Sequence, residues 1–62
     1  MDPQELVKEE IIKMLDQDFN QFEKLVNDII KTKNLDKEKL SEAYFCLQKM
    51  KLELERLVWL IT

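Results

Sequence analysis

Residues 37–61, KEKLSEAYFCLQKMKLELERLVWLI, decide the fold. Within them Leu40, Ala43, Leu47, Met50, Leu54, Leu57 and Ile61 recur at alternating spacings of three and four, which lays all seven along one seam of an α-helix. Upstream, Ile12, Leu15, Phe19, Phe22, Val26 and Ile29 repeat the pattern. Each position these ladders fix is apolar, so they specify an architecture without carrying any chemistry of their own.

Both helices announce their starts in the same way. Asp2 is placed to cap the first, with Pro3 at the first helical position, where its missing N–H costs nothing, and Glu5 in the first turn, where the helix dipole favours an anion. Met1 and Leu6 bracket that cap. Asp36 repeats the arrangement for the second helix, with Leu35 before it and Leu40 after it at the spacing of a hydrophobic staple. Lys31 and Lys33 sit where cations suit a helix C-terminus, and Asn34 is the expected left-handed residue that ends the first helix. These signals predict helices over about 3–32 and 37–61 of a single domain spanning 1–62.

A turn of a few residues makes the two helices antiparallel neighbours. Two helices form a thin rod with almost no interior, so neither seam can be fully buried within one hairpin. A 62-residue chain usually needs a staple beyond its own core, and this one has a single cysteine and no histidine, which leaves no internal disulfide and none of the common zinc ligand sets. The expected fold class is therefore all-α: an antiparallel helical hairpin that dimerises into a four-helix bundle. Its dimer core comprises Ile12, Leu15, Phe19, Phe22, Val26, Ile29, Leu40, Ala43, Leu47, Met50, Leu54, Leu57 and Ile61. Ala43 lets backbones approach between bulkier layers. Toward the N-terminus Leu6, Val7, Ile11 and Met14 widen the first stripe, either because that end is covered on two sides or because the helices splay there into a groove. Asp16 and Asp18 beside it read as a solvated flank.

A second stripe sets a functional surface apart from packing. Phe45, Leu52 and Trp59 recur every seven residues on the side of the second helix roughly 160–200° from the leucine seam. A bundle needs one apolar face, and three large groups in line on another are enough for a partner surface. The plainer reading is that they are scattered exposed residues, partly covered by the stems of Lys49, Glu55 and Arg56.

Charge weighs against a nucleic-acid duplex as the main ligand. Residues 1–28 hold eight acids and three lysines, whereas 29–39 hold four lysines and two acids, within a chain of net charge −3. An acidic first helix opposes a continuous basic face, although Lys31, Lys33, Lys37 and Lys39 cluster at the turn as candidate nucleic-acid contacts. Catalysis has little to stand on: no histidine, no Gly-rich phosphate loop, no serine paired with a base. Glu9, Asp16 and Glu23 lie at heptad spacing but lack the histidines of di-metal bundles. Cys46 reads as a small hydrophobe and not a nucleophile. No cofactor is expected, the charged first ten residues do not read as a secretory signal, and no run is long enough to span a bilayer, so a cytoplasmic location is expected.

Read together, Met14, Leu15, Asp16 and Asp18, the run Leu35, Asp36, Lys37, Glu38, Lys39 and Leu40, and then Ala43, Tyr44, Phe45, Gln48, Lys49, Glu53 and Leu54 carry a resemblance. The chain resembles a small helical-hairpin protein of the fuselloviruses, the spindle-shaped viruses of hyperthermophilic archaea such as Sulfolobus. That resemblance implies a bundle of two hairpins similar in architecture to the RNA-binding regulator Rop, with a suggested role as an adaptor. The chain departs from the family pattern in a shorter turn without glycine and in a more apolar end at Trp59, Leu60 and Ile61. A hyperthermophilic host would also give the lysine and glutamate content a reason in ion-pair networks, with Glu9 and Lys13 as one expected pair. The functional expectation is a non-enzymatic homodimeric adaptor for a host or viral protein; the alternative is a Rop-like RNA-binding regulator.

Overall fold

A computed structural model describes residues 2–62, and in it α1 runs Pro3–Thr32 and α2 runs Lys37–Ile61, the predicted bounds. Asp2 adopts extended backbone and its carboxylate accepts from the Gln4 N–H at 3.1 Å; Asp36 does the same for the Glu38 N–H at 2.9 Å. Each helix is thus opened by an aspartate that satisfies one of its orphan N–H groups. Met1 lies outside the described residues, and with it the bracket around the first cap.

The first helix ends at the predicted residue, but its left-handed cap falls one residue before Asn34. Lys33, not Asn34, takes the left-handed conformation, at φ 56° and ψ 22°, and its N–H reaches the Ile29 carbonyl at 2.8 Å. Asn34 closes the turn instead, its N–H donating to the Thr32 hydroxyl, which in turn donates to the Asp28 carbonyl. Lys39 of α2 adds a tie between the helices, its ammonium pairing with the Asp28 carboxylate of α1.

At about 1.5 Å per residue a 30-residue helix is roughly 45 Å long, and the hairpin measures 46 × 17 × 14 Å, one helix long and two helices wide. Gln4 donates to the Leu60 carbonyl at the open end, which fixes the antiparallel register there as Lys39 with Asp28 fixes it at the turn.

One neighbouring helix covers only part of each ladder. Ala43 and Met50 are buried and Leu57 half-buried; Leu15, Phe22, Val26 and Ile29 are half-buried on α1. Ile12, Phe19, Leu40, Leu47, Leu54 and Ile61, assigned to the same seams, stay exposed. The line of closest packing runs to one side of the predicted seams, through Ile11 on α1 and Cys46 on α2, both 5% accessible. The reason is geometric: a strict three–four ladder spans two neighbouring directions, and a hairpin supplies a neighbour in one of them.

Candidate interaction site

With 3.6 residues per turn, positions three or four apart fall on either side of the packed line, so each helix presents two flanks beside its buried strip. On one flank Ile12, Leu15 and Phe19 of α1 face Leu47, Met50, Leu54, Val58 and Trp59 of α2 across an open groove of about 910 Å³. Its lining is almost wholly apolar side chain. The polar residues at its rim, Asp16, Gln48, Lys51 and Glu55, carry both signs of charge.

The opposite flank carries the ion pairs between the helices. Lys39 pairs with Asp28, and Lys49 Nζ lies 2.9 Å from Asp18 Oδ1. Both bridges run from a lysine of α2 to an aspartate of α1. Asp18, expected to be solvated, has a side chain only 13% accessible, because the helix crossing turns it toward α2; Asp16 is exposed as expected. Glu9 and Lys13 form no pair among the described residues: Lys13 lies 3.9 Å from Glu10 instead, and Lys8 pairs with Glu5, each at a spacing of three.

Beside Asp18 sits a residue that the ladders do not single out. Glu53 is 4% accessible, and its Oε1 has no hydrogen-bond partner. Burial raises its carboxyl above the ordinary glutamate value, and so do the hydrogen bond to Asp18 and the Asp18 charge, against the opposing charges of Lys49 and Arg56. For Asp18, burial pushes upward, but the bonds with Lys49 and Glu53 and the Lys49 charge outweigh it and hold the carboxyl below its ordinary value. Lys49 is raised, by its bond to Asp18 first.

A sequence signal for this cluster does exist. Ile11, Asp18 and Leu25 stand at intervals of seven, as do Cys46, Glu53 and Leu60. Each column is apolar at both ends with a carboxylate in the middle, the mark of a polar residue held at a packed position.

The outer stripe is exposed as expected, with Trp59 at 80% accessibility. Lys49 lies over the Phe45 ring, 5.2 Å from its centroid. Leu52 and Trp59 also do not stand alone. With Met14, Glu53 and Arg56 they line one recess, and Trp59 joins Leu6, Val7, Met14 and Leu60 around a second at the open end of the hairpin. The widened N-terminal stripe of α1 is thus open in the single hairpin and continuous with the outer stripe of α2. Of the turn lysines, Lys31, Lys33 and Lys37 are exposed, while Lys39 is engaged by Asp28. Cys46 is buried and unpaired.

Among the described residues no cluster of three or more His, Cys, Asp or Glu is arranged to hold a metal ion, and no helix is long and apolar enough to cross a membrane. What the geometry defines is a two-helix hairpin with more apolar surface than its own interior can take. The sequence profile of the family described as Sulfolobus spindle-shape virus 1, protein D-63 matches residues 3–59, nearly the whole hairpin, and the chain belongs to that family. The fusellovirus resemblance is therefore correct. No solved structure matches the chain.

Proposed function

We propose that the chain is a non-enzymatic homodimeric adaptor that acts inside the infected cell. Two hairpins join through Ile12, Phe19, Leu40, Leu47, Leu54 and Ile61 into a four-helix bundle, and each offers Phe45, Leu52 and Trp59 to a host or viral protein. One observation carries this reading: among the described residues the buried apolar ones are Ile11, Ala43, Cys46 and Met50, whereas sixteen large apolar residues are exposed on both flanks and the back of the hairpin. The apolar groove suits a second copy of the same groove, since a twofold interface must be self-complementary and both helices present matching seven-residue columns there. Phe45 and Leu52 lie outside that groove and would remain open in the bundle, while Trp59, a residue type enriched in binding hot spots, stands at the edge where the groove and the stripe meet.

The second reading, a Rop-like RNA-binding regulator, draws support from the exposure of Lys31, Lys33 and Lys37 at the turn. It has fewer cations than the sequence suggests, because Lys39 is already paired, and the acidic α1 opposes a continuous phosphate track. An affinity pull-down from host lysate, with and without nuclease, separates the two, using the natural chain beside a Phe45→Asp, Trp59→Asp variant checked for an unchanged oligomeric state. A protein retained after nuclease by the natural chain and lost with the variant is the adaptor result. Recovery of nucleic acid alone, equal for both, overturns it in favour of the RNA reading.

A further inference from the structure

Asp18 of α1 and the buried Glu53 of α2 interact across the helix interface, and the one cation in direct contact with the pair, Lys49, binds Asp18. The charged groups around Glu53 are Asp18 from α1 and Lys49 and Arg56 from its own helix. Lys49 is committed to Asp18 at 2.9 Å, while Arg56 is exposed, one turn along α2. Were both carboxyls ionised, the cluster would hold two negative charges against one close positive charge, with Glu53 Oε1 sealed from water and unpartnered. A buried charge without a partner is among the costlier arrangements in a protein. With one proton on the pair, Asp18 and Lys49 form a neutral couple and the protonated Glu53 has an acceptor in Asp18. That state leaves no unpaired charge buried in the cluster.

We propose that Asp18 and Glu53 hold one proton between them and act as a proton-dependent latch on the hairpin, tight while the pair is singly protonated and loosened when both carboxyls ionise. Glu53 lies in the chain between Leu52 of the outer stripe and Leu54 of the apolar groove, so the latch adjoins both surfaces. The raised Glu53 carboxyl contributes stability that is complete below the ordinary glutamate range and is lost as pH rises through its own higher midpoint. The depressed Asp18 carboxyl contributes stability that is present above the ordinary aspartate range and is lost as pH falls through its own lower midpoint. Stability therefore peaks on the acid side of neutrality, and the two midpoints belong to the pair.

The test is thermal unfolding of the full chain from pH 3 to pH 9 at one protein concentration, for the natural sequence and Glu53→Gln, together with carboxyl carbon NMR of the natural chain. Glu53→Gln keeps the shape and supplies an N–H donor to Asp18 with nothing to titrate. The natural chain is expected to lose on the order of 5 °C of unfolding temperature on the alkaline side of its maximum, and Glu53→Gln to lose that fall. One glutamate resonance is expected to titrate above the ordinary glutamate range. The proposal is overturned by an alkaline fall of equal size in Glu53→Gln, or by glutamate resonances that all titrate in the ordinary range. Should Glu53→Gln not fold, the carboxyl titration of the natural chain decides by itself.

Discussion

Leu47 and Lys49 stand about equally far to either side of the packed line through Cys46 and Met50, yet they meet opposite surroundings. Leu47 looks across an open groove at Ile12 and Phe19. Lys49 closes on Asp18, and the same flank holds Lys39 with Asp28 and the sealed Glu53. On the polar flank Asp18 and Asp28 of α1 each find a lysine of α2 at the antiparallel register. The groove flank is left unfinished: Ile12, Phe19, Leu47 and Leu54 pack against one neighbouring helix, and about half of each still faces water.

The largest expected effect comes from breaking the apolar flank. Leu47→Glu with Leu54→Glu places two charges on the groove, and each leucine buried in a bundle core contributes roughly 1.5–3 kcal/mol. The double variant should lose self-association in sedimentation equilibrium and several degrees or more in thermal unfolding. The same two charges at Leu52 and Phe45 should leave association unchanged. An equal loss from both pairs would show that the two surfaces are not distinct, and no loss from either would remove the asymmetry between the flanks.

Much of this is legible in the residues. The three–four ladders, Asp2 with Pro3, and Asp36 after Leu35 place both helices, because capping and periodicity are local and each residue acts within a turn of itself. What periodicity alone does not resolve is which half of each ladder the hairpin covers, since Leu47 and Met50 look alike in a seven-residue repeat and only the crossing of the helices distinguishes them. Asp18 reads as a solvated flank for the same reason: aspartate is usually exposed, and its position mid-column between Ile11 and Leu25 acquires meaning only when Glu53 is found opposite. The exposed Phe45, Leu52 and Trp59 follow from their seven-residue spacing, but their continuity with Met14, Val7 and Leu6 depends on the register between helices, which no single helix encodes.

A smaller effect is expected from the polar flank, and it has a direction in pH. Below the ordinary aspartate range the natural chain should lose stability as the Asp18 carboxyl takes up a proton and releases Lys49. Asp18→Asn should show less of that acid fall in unfolding followed by circular dichroism. Lys49→Met should destabilise at neutral pH more than Lys39→Met, because the carboxylate it abandons is 13% accessible whereas Asp28 is 42% accessible and can return to water. If the two lysine variants behave alike, both bridges are surface pairs and the flank owes its closure to packing.

The smallest change acts at the turn and leaves both flanks untouched. Lys33 holds a left-handed conformation at φ 56° that costs a residue with a Cβ about 1–2 kcal/mol and costs glycine almost nothing. Against this, glycine adds freedom to the unfolded chain, so Lys33→Gly is expected to stabilise the hairpin by a net of roughly 0.5–1 kcal/mol. Because the gain comes from the backbone, it should appear undiminished in Leu47→Glu, Leu54→Glu and in Asp18→Asn, raising each unfolding curve by a similar amount without restoring association or altering the pH profile. Additivity of that kind would show that the turn and the two flanks are separate contributions to one fold. A gain that vanished in the groove variant alone would instead tie the angle of the turn to the apolar flank, and the hairpin would then take its final shape only against a second copy.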